Sequence, residues 1–237
     1  MLAHPKGLLL DYGGTLVEEV GFNPCAGNKL LLARAVDRSE QVSLEAILDR
    51  AKKISAEVAA RRDQLQLETP WPTLTRLIYD FFGIRFADSW SELELAFWQA
   101  SVTTRPMPGA RAALEEFHRY GIPIAVVSNC SFGQDVLCYE LAQHGLADWL
   151  AFIMVSAEYA IRKPNPLLFE TAAAKLGVSP REIWFVGDRL DTDIMGARAA
   201  GMTAVWFCPA QSESSDSADL TVGSWSDLAH RFRALCR

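Results

Sequence analysis

The chain has no C-x-x-C pair, no cluster of lysine and arginine, no G-x-S-x-G, no Walker loop and no H-E-x-x-H. Each absence removes a class of function. The five cysteines, Cys25, Cys130, Cys138, Cys208 and Cys236, are odd in number and scattered, so they read as reduced thiols and not as a zinc site or redox couple. The formal charge is −6, and without clustered positive charge no nucleic-acid partner is expected, because affinity for phosphate backbones rests on such clusters. No run approaches the roughly 20 apolar residues of a membrane span, and the apolar stretch near the N-terminus is too short for a signal peptide. A soluble, cytoplasmic protein without a membrane partner is the expectation; its oligomeric state is not readable. The missing motifs leave serine-hydrolase, nucleotide-loop and zinc-protease chemistry without support. His4, His118, His144 and His230 fall in no motif and read as surface or helix residues.

What is present is a chain of 237 residues, half of them apolar, enough for one large domain or a domain carrying an insertion. Its patterning changes character along the sequence. After the opening "KGLLLDYGGTL", residues 18–101 show helical periodicity only, in "NKLLLARAVDR", "SLEAILDRAKKISAEVAARRDQLQ", "TLTRLIYDFFGI" and "SELELAFWQA". Ser43 and Ser91 are the expected N-caps there, with Glu94 three residues after Ser91 as in a capping box. Trp71, Trp90, Phe97 and Trp98 read as the apolar core of that segment, with room for one or two to face a cleft. From Arg105 onward, apolar β-branched runs alternate with amphipathic helices: "IPIAVVSN", "AFIMVSA", "EIWFVGD" and "MTAVWF" are the strands. This pattern predicts an α/β fold, a doubly wound parallel sheet covered on both faces. The expected division is a core of residues 1–17 and 102–237 and an inserted helical cap of residues 18–101.

Such sheets bind ligands at the carboxyl ends of their strands. Those ends carry Asp11, Ser128, Asn129 and Asp188, and Lys163 follows the third strand. Two close aspartates repel unless a cation lies between them, and hard oxygen ligands with room for water suit Mg²⁺. Lys163 and Ser128 would hold an anionic oxygen beside that metal, which is the equipment of phosphoryl transfer.

Four segments, "DYGGTL", "VVSN", "RKPNP" and "FVGDRLDTDIMGARAAGM", resemble in order the four motifs of the haloacid dehalogenase superfamily. The likeness is to its helical-cap branch, with phosphoglycolate phosphatase-like members. The resemblance implies a Mg²⁺-dependent hydrolase of a small phosphorylated metabolite, with Asp11 as the nucleophile that becomes an aspartyl-phosphate. It implies Thr15, Ser128 and Asn129 as contacts of the phosphoryl group and Lys163 as the neutralising cation. The metal would sit on Asp11, Asp188, Asp193 and the backbone carbonyl of Gly13.

Gly13 departs from the pattern, because phosphatases of this family carry a second aspartate there as general acid and base. Its loss is expected to weigh most on poor leaving groups. Three alternatives follow from the gap: a metal-free haloacid dehalogenase, a phosphonate-cleaving enzyme using Lys52 or Lys53 as a Schiff base, or a protein that binds phosphate and metal without turnover. Bland readings also stand beside individual residues. Asp191 or Thr192 would cap the following helix, Asp193 would favour its dipole, and Lys52 and Lys53 would form a solvated face.

Overall fold

The computed structural model describes residues 3–38, 41–209 and 215–235, so Cys236 lies outside the described residues. In chain order the elements are β1 (Gly7–Leu10), β2 (Val17–Phe22), α1 (Pro24–Arg34), β3 (Ala35–Asp37), α2 (Leu44–Leu65), α3 (Trp71–Phe81), β4 (Arg85–Phe86), α4 (Trp90–Ser101), β5 (Val102–Pro106) and α5 (Ala110–Arg119). They continue with β6 (Ile124–Ser128), α6 (Gln134–Gln143), β7 (Leu150–Val155), α7 (Ser156–Tyr159), α8 (Pro166–Leu176), β8 (Ile183–Gly187), α9 (Met195–Ala199), β9 (Thr203–Phe207), β10 (Leu220–Val222) and α10 (Trp225–Leu235).

Six strands form one parallel sheet in the order β10-β9-β8-β1-β6-β7. Their runs are apolar throughout because side chains alternate between two buried faces. Leu8, Leu10, Ile124, Val126, Trp184 and Val186 pack on one face with Leu114 and Phe117 of α5 and Phe232 of α10. Leu9, Ala125, Val127, Ile183 and Phe185 pack on the other with Leu168 and Phe169 of α8 and Ala197 of α9. The leucines of β1 are fully buried, and each contributes about 1.5–3 kcal/mol relative to exposure. Among the described residues no helix is long and apolar enough to cross a membrane.

Helices α1–α4 gather around an apolar cluster of their own that includes Leu31, Ile47, Ile78, Tyr79, Leu93 and Phe97. The segment is not purely helical, as periodicity suggested. Val17–Phe22 is a strand, paired antiparallel with β5, and β3 pairs with β4. Local periodicity misses these short strands because their partners lie some eighty residues away for β2 and some fifty for β3. The β2/β5 pair is a stem between sheet and helices: the expected boundary at 17/18 cuts β2 after its first residue, and the one at 101/102 falls where β5 begins.

Ser43 caps α2 as expected, its Oγ accepting from the Ala46 amide at 3.1 Å. Helix α4 starts one turn-fraction earlier than expected. Ser89, not Ser91, is its N-cap, with Glu92 closing the capping box by accepting from the Ser89 amide at 2.8 Å. The S-x-x-E spacing occurs twice in "SWSELE", and Glu94 is drawn elsewhere: its Oε1 accepts from the Gly133 amide at the start of α6, 3.0 Å away. Phe97 belongs to the apolar cluster of α1–α4, with Trp71 and Trp90 packed at its edge. Trp98 instead joins the sheet's cluster and donates from Nε1 to Glu140, 2.8 Å. Replacing Ser89 by Ala should cost about 0.5–2 kcal/mol in urea unfolding, whereas Ser91→Ala should stay within about 0.5 kcal/mol.

Candidate active site

The sheet changes its direction of growth at β1: β6 and β7 lie to one side, β8, β9 and β10 to the other. That switch point is where an open α/β sheet has a crevice for ligands, and Asp11 stands there. It lies in the wall of a cavity of about 710 Å³ together with Ser128, Asn129, Lys163 and Asp193.

The turn after Asp11 is tight. The amides of Leu16 and Val17 both donate to the Tyr12 carbonyl, at 2.9 and 3.0 Å, and the Gly14 amide donates to the Val17 carbonyl at 2.8 Å. Gly14 has φ +72°, and a Cβ there would lie 2.4 Å from Oδ2 of Asp188. Both the backbone and the approach of that carboxylate therefore require glycine. At Gly187 a Cβ would lie 2.5 Å from the side chain of Asp193, so this glycine likewise lets a carboxylate in. Gly13 is different, since a Cβ there would meet nothing within 4 Å.

Lys163 organises the centre. Its Nζ donates to Oδ1 of Asp11 at 2.6 Å and to the Val127 carbonyl at 3.0 Å, and forms an ion pair with Oδ1 of Asp193 at 2.7 Å. Burial works to lower the lysine's pKa and is outweighed by the two carboxylates, which hold it above the ordinary value. Burial pushes the Asp11 carboxyl up, against the pull of Lys163, and Asp193 and Asp188 push it further. Asp188 is raised as well, by burial first and then by Asp193. Its Oδ1 is buried without a hydrogen-bond partner.

The other expected site residues fall into distinct places. Ser128 lines the cavity at the end of β6. Asn129 also lines it, yet its amide grips the backbone of Lys163, accepting from its N–H at 2.8 Å and donating to its C=O at 2.9 Å. It positions the lysine. Thr15 does not reach the cavity wall: it is fully buried, and its Oγ1 has no hydrogen-bond partner. The chain turns inward after Gly14, where the Thr15 carbonyl accepts from Nε1 of Trp225 at 2.9 Å. Asp193 accepts from the Arg189 amide at 3.1 Å through Oδ2. Asp191 pairs with Arg189 at 2.8 Å in solvent, and neither it nor Thr192 caps a helix. Lys52 and Lys53 are exposed on α2 and outside the cavity wall.

Sequence reasoning missed the share that α2 has in the cavity wall. Arg62 and Gln66, at the end of α2, line the cavity. The following strand-like segment is stitched to the loop before Lys163: the Glu68 amide donates to the Ala160 carbonyl at 2.8 Å, and the Arg162 amide to the Gln66 carbonyl at 2.9 Å. Glu68 is buried, accepting from Ser156 Oγ at 2.6 Å and pairing with Arg162. His144, read as a plain surface or helix residue, meets Glu140 and Thr104 at the end of α6. No local pattern marks these contacts.

Oxygens of Asp11, Asp188 and Asp193 lie within 4.8 Å of one another. Three carboxylates share one ammonium, Asp11 and Asp188 are raised by burial and by their acidic neighbours, and Oδ1 of Asp188 is buried without a hydrogen-bond partner. A divalent ion with oxygen preference fits this donor set, with coordination positions left for water or phosphate oxygens.

Fold and site together define an α/β protein with a carboxylate-centred site at its switch point and helices inserted beside it. A family model described as haloacid dehalogenase-like hydrolase matches residues 5–201. The chain belongs to that family. It is 37% identical over 141 residues to a phosphoserine phosphatase of Thermus thermophilus, covering 58% of this chain and 55% of the other. The chain thus spans about half the length of that relative. A phosphoglycolate phosphatase of Pectobacterium atrosepticum is 26% identical over 200 residues, 84% of this chain and 79% of its own. A solved 2-haloacid dehalogenase from Pseudomonas syringae pv. tomato shares the fold, with a TM-score of 0.67 at 22% identity over 100% of both chains.

If the acidic cluster holds a divalent ion, Mg²⁺ in excess of chelator should raise the melting temperature. Saturation at about 100 Kd corresponds to roughly 2.7 kcal/mol, and Asp188→Asn should abolish the gain in the same thermal scan.

Proposed function

We propose that the chain hydrolyses a small phosphorylated metabolite through an aspartyl-phosphate on Asp11. The observation that carries this reading is the buried Asp11–Lys163 pair, 2.6 Å apart, in the cavity wall beside two further carboxylates. In this reading Oδ2 of Asp11, the oxygen not bonded to Lys163, attacks phosphorus. Lys163 offsets negative charge on the nucleophile and the phosphoryl group, Ser128 contacts the phosphoryl oxygens, and Asn129 keeps Lys163 in place. Mg²⁺ would be held by Asp11, Asp188, Asp193 and the Gly13 carbonyl. When bound, it neutralises phosphoryl charge. Residues 18–101 act as a cap that closes over the core and excludes water from the reacting atoms, and the setting is the cytoplasm. The phosphoserine and phosphoglycolate phosphatases similar to this chain support a small phosphorylated substrate.

The alternatives have less support. A Schiff base needs a lysine in the cavity, and Lys52 and Lys53 are outside it, while Lys163 is committed to Asp11 and Asp193. Metal-free dehalogenation would leave the surplus negative charge around Asp188 unbalanced. Without an acid at Gly13, the penalty on poor leaving groups is about 10²–10⁴-fold, roughly 3–5 kcal/mol of barrier.

The test is release of p-nitrophenol from p-nitrophenyl phosphate, with Mg²⁺ or chelator, by the unaltered chain and by Asp11→Asn. Release should require both the metal and Asp11, with the variant down at least about 10³-fold. Activity that survives Asp11→Asn would sink the proposal.

A further inference from the structure

We infer that Glu19 supplies the acid and base function that Gly13 lacks. This rests on the phosphoenzyme reading above and extends it. The bonds around the Gly13–Gly14 turn bring Val17 beside Gly13, where the two residues form a β-bridge. Strand β2 leaves from that point, and Glu19 lies two residues along it, about 6.8 Å by strand rise and on the same face. Val17 and Glu19 both line the cavity, as does Thr104 directly opposite Glu19 on β5. Glu18 faces the other way and pairs with Arg105 at 2.7 Å. The register breaks just after Glu19, between Glu19 and Gly21, the kind of irregularity that re-aims a side chain near a site.

Elimination leads to the same residue. Among the carboxylates of the cavity wall, Asp11 and Asp193 are held by Lys163, Asp63 by Arg62 and Asp191 by Arg189. Glu19 has no ion pair or side-chain hydrogen bond among the described residues. The other protic groups there are poor candidates for shuttling a proton: burial pushes the Cys130 thiol up to about 12 and raises the Tyr12 phenol well above its usual value. A Cβ at Gly13 would meet nothing within 4 Å, so no side chain fills the space there.

The chemistry balances in two steps. Asp11 attacks phosphorus, and the bond to the leaving oxygen breaks with its electron pair on that oxygen, which takes the proton of Glu19 and departs as the alcohol. The Glu19 carboxylate then removes a proton from water as its oxygen attacks phosphorus. The phosphorus–Asp11 bond breaks, its electron pair restores the Asp11 carboxylate, and inorganic phosphate leaves with Glu19 protonated again.

The experiment compares single-turnover phosphoenzyme formation from an alkyl phosphate, glycerol 3-phosphate, and from p-nitrophenyl phosphate, in the full chain. Glu19→Gln should slow the alkyl reaction by about 10²–10⁴-fold, with the aryl reaction falling less than about tenfold. Glu18→Gln should leave both unchanged. In a Gly13→Asp background, where the added side chain has room, Glu19→Gln should lose most of its effect. Equal losses on both substrates, or a Glu19→Gln effect undiminished by Gly13→Asp, would overturn the role of Glu19 while leaving the Asp11 reading intact. Phosphoenzyme formation that persists in Asp11→Asn would instead remove both.

Discussion

A single buried ammonium sets the conditions for the rest of the site. Lys163 lies between Asp11 and Asp193 with almost no exposure to solvent, where breaking a buried pair by losing one partner typically costs about 3–5 kcal/mol. Its position is over-determined from several directions. The Val127 carbonyl at the end of β6 accepts from Nζ, Asn129 grips the lysine's own peptide groups, and Glu68 holds the neighbouring Arg162. The segment carrying Lys163 is therefore fixed by the sheet and by the inserted helices together. The helical part is thereby bonded to the segment whose charge lies beside Asp11.

Close approach of backbone to carboxylate is the second constraint. Gly14 and Gly187 remove the Cβ atoms that would collide with Asp188 and Asp193, and the result is an acidic cluster denser than one lysine can balance. Such a cluster is tolerable in a protein that binds a cation and an anionic substrate there, and costly in one that binds neither. Gly13 obeys no such constraint. A Cβ there would meet nothing within 4 Å, so the architecture of the site does not require glycine at that position.

Much of this was legible in the sequence because it is local. Parallel strands buried on both faces must be apolar throughout, so "LLL", "IAVV" and "IWFV" announce themselves, and their ends place Asp11, Ser128 and Asp188 on one edge. The spacing of Asp188 and Asp193 brings both carboxylates to that edge through one wide turn. What the sequence did not show depended on distant partners. Val17–Phe22 is a strand only because Val102–Pro106 lies against it, and Asn129 serves Lys163 because a loop from another part of the chain comes within hydrogen-bond reach. Thr15, adjacent to the turn, is buried, and its carbonyl accepts from Nε1 of Trp225, far along the chain.

By itself, then, the sequence determined the layered α/β architecture and the strand ends at which Asp11, Ser128 and Asp188 stand. These follow from periodicity and strand direction, which neighbouring residues impose on one another. The tertiary structure decided which charges meet, which are already neutralised, and that Arg62, Gln66 and Glu19 face the same cavity as Asp11. Coulomb interactions and hydrogen bonds depend on distances in space between residues remote in sequence, and only the folded chain sets those distances.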